Sequence, residues 1–241
     1  KQYALRIAIE NKHTHSIKSF LEDMLHLFNQ ATSDEERHAF FDILSIRVHI
    51  GFFGASLLHI MCYTGNVELI RQLINVCLDI TKQYPQYKNQ IIQVIEAETE
   101  TKRSILSAAI CSGNSVKIIK EIFYFYEQLA IQYPDLDANE LKLASLTKPY
   151  HPEYTYTCFD RALYYSQQMI TLMFNFLLPL RHHEKYGPTI WKLLSTSPIN
   201  SENLAHIELR TTNYNAKRLW CLWRCNNNYH WIIIATRDIV G

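Results

Sequence analysis

"SLLHIMCYTGNVELIRQLI", Ser56 to Ile74, joins a short helix-like run to a longer apolar run through Gly65-Asn66. The second run, Val67 to Ile74, places apolar residues at i, i+2, i+3, i+6 and i+7. That spacing makes a broad helical stripe, wide enough to pack on two neighbours at once, whereas a strand would alternate. The stretch therefore reads as a helical hairpin, and a hairpin of this kind cannot bury its own stripe.

It has copies. "SILSAAICSGN" (Ser104–Asn114) repeats the Ser, Leu, Gly and Asn of "SLLHIMCYTGN" (Ser56–Asn66) at identical offsets, 48 residues apart. "TCFDRALYYSQ" (Thr157–Gln167) fits with Thr157 for Ser56 and Ser166 for Gly65, and "YALRIAIENKH" (Tyr3–His13) with Leu5 and Ala8 in the apolar places. A fifth, weaker copy is "GPTIWKLLSTSP" (Gly187–Pro198), with Ser197-Pro198 for Gly-Asn. The second halves recur as "VELIRQLI", "VKIIKEIF" and "ITLMFNFL".

Thr/Ser-x-Leu-His-x-Ala, a short helix, Gly-Asn and a second apolar helix together resemble the ankyrin repeat, with His59 where that family keeps its histidine. Ser107, Asp160 and Arg6 stand there in the other copies. The spacing departs from the family: Leu5, Leu58, Leu106 and Phe159 lie 53, 48 and 53 apart, and only the step from Phe159 to Ile190 is 31, against about 33 for an ankyrin repeat. The surplus falls between the second helix of one unit and the first of the next. Both long insertions carry Gln-Tyr-Pro, at 83–85 and 132–134, and the proline, lacking an N–H, ends the long helix. Ser33-x-x-Glu36 and Asp137-x-x-Glu140 read as capping boxes that start a third helix.

The resemblance implies an all-α fold: an ankyrin-type helical solenoid over residues 1–210, with units starting near 3, 56, 104, 157 and 187 and extra helices inserted between repeats. Elongated units are similar to ankyrin-bearing effectors that intracellular bacteria deliver into host cells. On that likeness the chain is expected to be a monomer that binds a host protein, secreted into the host cytosol or nucleus if it is such an effector and cytoplasmic otherwise. Small residues in the first helices, Ala8, Ala109 and Ala162, let adjacent units approach closely. The binding face implied by the family comprises the residues before the glycine position and the tips of the turns entering each unit. Here these are Tyr63 and Thr64, Cys111 and Ser112, Tyr164 and Tyr165, with tips Phe52 and Phe53, Lys102 and Arg103, Tyr154 and Tyr156. The first copy supplies Glu10 and Asn11. Large aromatic residues at such positions are the type that dominates protein–protein hot spots; the added third helices offer the other fate, covering them as core.

Composition is that of a globular chain, neither disordered nor collagen-like. Residues are 48% apolar and 20% charged with a net charge of +1, which gives no global field for nucleic acid or an acidic membrane. No run of 18 apolar residues exists, so no membrane span is expected. Six cysteines are scattered along the chain, four of them inside helical apolar patterns where a free Cys acts as a small hydrophobe, and no disulfide framework is expected. No phosphate loop, nucleotide fingerprint or HExxH motif is present, so no cofactor is expected.

"AKRLWCLWRCNNNYHWIIIATRDIVG" (Ala216–Gly241) breaks the helical pattern. Leu219–Cys225 and Tyr229–Thr236 flank Asn226-Asn227-Asn228 as a β-hairpin, making residues 211–241 a cap or the opening of a further domain. Cys221 and Cys225, four apart in a strand, lie about 13 Å from each other, too far to share a zinc ion. His230-Trp231 also resembles the histidine strand of cysteine proteases that cleave ubiquitin-like modifiers. In that family the acid and nucleophile follow the histidine. Asp238 is available, no cysteine follows it, and Cys158 would need a different chain order.

Overall fold

The structure, a computed structural model, describes residues 7, 11, 13–45, 48–50, 53–150, 156–163, 165–196, 223–225 and 228–230. At 14, 48–50, 53, 167, 195–196, 223–225 and 228–230 it describes the backbone alone. The chain is mostly helical and divides into two units, 1–158 and 159–241. Of the first sequence copy only Ile7 and Asn11 are described, Asn11 donating from Nδ2 to Ile7 O at 2.9 Å. The boundary drawn near 210 lies outside the described residues.

The first unit opens with α1 (Thr14–Gln30) and α2 (Asp34–Ser45), then a hairpin of β1 (Val48–Ile50) and β2 (Phe53–Ala55). Next come α3 (Leu57–Thr64), α4 (Val67–Gln83) and, after a 3-10 turn at Pro85–Tyr87, α5 (Lys88–Ile95). The same three-helix order follows in α6 (Ile105–Ile110), α7 (Ser115–Gln132) and α8 (Ala138–Thr147). Gly65 ends α3 in the left-handed region at φ 70, where glycine carries no Cβ penalty. Asn66 Oδ1 then accepts from Leu69 N at 3.2 Å and caps α4. Both prolines of Gln-Tyr-Pro fall just past a helix end, after Tyr84 and Tyr133. The Ser33–Glu36 box is reciprocal: Glu36 N donates to Ser33 Oγ at 3.2 Å and Ser33 N to Glu36 Oε2 at 3.4 Å. Asp137 accepts from Asn139 N and Glu140 N at the start of α8.

Burial repeats residue by residue. Leu69, Ile70, Leu73, Ile74, Val76, Cys77 and Ile80 of α4 are buried, and so is the residue 49 positions after each: Ile118, Ile119, Ile122, Phe123, Phe125, Tyr126 and Leu129 of α7. In the short helices the shift is 48, from Leu57–Cys62 to Ile105–Ile110, all buried. Ser115, buried at the start of α7, is the one-residue difference. α4 packs on α1 on one side and α7 on the other, α3 packs on α6, and α2 on α5. Burying each such aliphatic side chain contributes about 1.5–3 kcal/mol.

Polar links tie the layers at both ends. At the turn end, His59 is fully buried with Nδ1 2.7 Å from Ser56 Oγ and Nε2 3.1 Å from Arg103 O. A carbonyl only accepts, so Nε2 carries the proton, and in the neutral ring Nδ1 takes the Ser56 hydroxyl hydrogen. Ser107, one layer on, does the same task by donating to Tyr150 O at 3.0 Å. At the far end, each tyrosine of Gln-Tyr-Pro receives a cation from the preceding layer: Arg37 over Tyr84 at 5.0 Å and Lys88 over Tyr133 at 4.9 Å. Tyr133 Oη also donates to Thr81 O at 2.6 Å, and Lys88 pairs with Asp135 at 2.7 Å. Around Tyr84 and Tyr87, Phe28 makes edge-on ring contacts at 5.3 and 5.5 Å, and Tyr87 Oη donates to Asp34 at 2.5 Å.

The second unit takes over within α9 (Cys158–Leu163), where Phe159 and Ala162 are buried, and continues through α10 (Gln167–Leu180) and α11 (Gly187–Thr196). Ser166 Oγ caps α10 by accepting from Met169 N at 3.1 Å, and Met169, Ile170, Met173 and Leu177 form its buried stripe. Pro179 lies inside the last turn of α10. His182 and His183 follow in an exposed turn, where His183 stacks on Tyr186 at 4.3 Å. Further on, β3 (Trp223–Cys225) pairs antiparallel with β4 (Asn228–His230); the rest of residues 211–241 is outside the described set.

Two measurements follow from these links. Replacing His59 by Phe is expected to cost about 1–3 kcal/mol in urea denaturation, and Ser107→Ala the lower part of that range, because each strips a buried interlayer bond. Asp135 is held below the ordinary carboxylate range by Lys88, Glu36 by the Thr32 and Ser33 amides, and Asp34 by Tyr87. Carboxylates depressed on folding stabilise above their unfolded pKa near ~4, and that contribution disappears as pH falls through the folded values. Calorimetry should therefore find a level melting temperature from about pH 7 to 5 and a decline below about pH 4. The decline should be shallower in a Glu36→Gln, Asp135→Asn variant.

Candidate functional site

The turns that enter the short helices form one series. The β1–β2 hairpin precedes α3, an antiparallel bridge between Glu98 and Ser104 precedes α6, and one between Pro149 and Thr157 precedes α9. Gly54 O accepts from Glu100 N at 3.1 Å, joining the first turn to the second. Because these turns are braced from inside the core by His59 and Ser107, they hold their side chains on fixed backbone.

Tyr150 is the centre of what they hold. It is 6% exposed, and its ring stacks on Tyr156 at 5.6 Å with 23° between planes. The bridge register sets them opposite each other, with Tyr150 N donating to Tyr156 O at 3.1 Å. Arg103 places its guanidinium 5.9 Å from the Tyr150 centroid, and Cys111 Sγ lies 2.6 Å from Tyr150 Oη. Tyr63 completes the group from α3. Burial pushes its phenol above the ordinary tyrosine value, and the facing Arg103 guanidinium draws it back. The Tyr63 hydroxyl is enclosed, facing the Arg103 guanidinium. Tyr63, Arg103, Cys111 and Tyr156 are all half-buried, so each leaves part of its surface to solvent.

Of the residues the sequence assigned to a binding face, these four converge. Lys102 is exposed at the apex of the second turn. Thr64 is half-buried with its hydroxyl on Met61 O, and it lines a separate open cleft of about 460 Å³ with Asn66, Glu68, Arg71, Asn114 and Lys117. There Arg71 is held by Glu121 at 2.6 Å and Glu68 at 3.1 Å. Ser112 is a correction. Its side chain is 1% exposed and belongs to the interior, although Cys111 before it is half-buried and Gly113 and Asn114 after it are exposed. Tyr165 is 39% exposed, in the second unit. Phe52, Tyr154 and Tyr164 lie outside the described residues, as does the side chain of Phe53.

Tyr150 was not foreseen. Its only sequence signal is its place across the turn from Tyr156, which becomes readable once the pairing of Pro149 with Thr157 is known.

The protease reading rests on His230, with Cys158 usable only under a different chain order. Cys158 is fully buried with Sγ 3.5 Å from Ser104 Oγ, and the side chain of His230 lies outside the described residues. Among the described residues no group of three His, Cys, Asp or Glu is placed to hold a metal, and no helix is long and apolar enough to cross a membrane. Compared with family models, curated proteins and solved structures, the chain matches none.

Thiol accessibility checks the geometry of the cluster. Cys62, Cys77 and Cys158 are fully buried, and burial pushes the Cys77 thiol up to about 12. Cys111 is half-buried. Under native conditions a maleimide should modify Cys111 well before these three, read by peptide mass mapping, and all four should react in denaturant.

Proposed function

We propose that this chain is an ankyrin-type scaffold whose units are elongated by a third helix, and that it binds another protein through the Tyr63, Arg103, Tyr150 and Tyr156 face. The observation that carries the reading is the phase of the repeats: the buried positions of α3 and α4 return in α6 and α7 at shifts of 48 and 49. Partly exposed tyrosines beside an arginine, on turns braced by buried hydrogen bonds, supply contact area at little ordering cost. The short antiparallel β3–β4 pair supports the reading of a C-terminal hairpin. That the partner is a host protein, and the chain a monomeric effector secreted by an intracellular bacterium, rests on the resemblance of the elongated units alone.

A photo-crosslinking residue at Tyr156 should capture a discrete protein from host-cell extract, while the same residue at exposed Asn75 on α4 captures none. With that protein purified, Tyr156→Ala and Arg103→Ala should each weaken binding about tenfold or more, with the melting temperature within a few degrees of wild type. Equal capture from both positions would remove the assignment.

A further inference from the structure

We draw no further inference here: the strongest candidate, the open cleft at the N-terminal ends of α4 and α7 lined by Asn66, Arg71, Asn114 and Lys117, rests on helix N-termini with no second observation that points to a ligand.

Discussion

α4 is apolar on two sides and cannot satisfy both by itself. It lies between α1 and α7, and the seven buried positions it shares with α7 are the means by which one layer is completed by the next. This two-sided burial governs the rest of the first unit. It demands a neighbour of matching phase, so the chain supplies one after each insertion, and it sets which residues can differ. Layer three fills the same positions with Phe123, Phe125 and Tyr126 where layer two has Ile74, Val76 and Cys77. The stacking tolerates that gain in volume because α8 also packs on α7, with Tyr126 Oη 2.9 Å from Ser145 Oγ and Lys142 paired with Glu127.

Much of this was legible from the order of residues because it is local or periodic. Apolar spacing, the Gly65 stop, the Ser33–Glu36 box and the proline of Gln-Tyr-Pro act within a few residues of themselves. The tyrosine of the same tripeptide was opaque. Its partners, Arg37 for Tyr84 and Lys88 for Tyr133, lie some 45 residues upstream on the preceding layer, and nothing in the local pattern names them. Ser107 is another case. By position it looked like a lost histidine, yet its shorter side chain reaches Tyr150 O and performs the bond His59 makes to Arg103 O. Ser112 failed for the opposite reason: its side chain is buried while its neighbours Cys111 and Gly113 keep surface in solvent, and no local pattern separates them.

The candidate site follows from the same construction. A turn that leaves a sheet-like bridge and enters a buried helix has few free choices of backbone, so its side chains are spent either on bracing or on contact. Thr99, Ser104 and Ser107 brace. Tyr63, Arg103 and Tyr156 are left half in solvent around a buried Tyr150, whose hydroxyl is occupied by Cys111. The Tyr150 phenol and the Cys111 thiol meet inside the cluster, which leaves its outer rim to rings and a guanidinium.

The cation-over-ring staples have a direction. At both Gln-Tyr-Pro tyrosines the earlier layer gives the charge and the later one the ring, so the two faces of a layer are chemically unlike. A layer installed backwards would set ring against ring and charge against charge. The stacking is in that sense vectorial: each such junction has a giving side and a receiving side, and inverting a layer would break both.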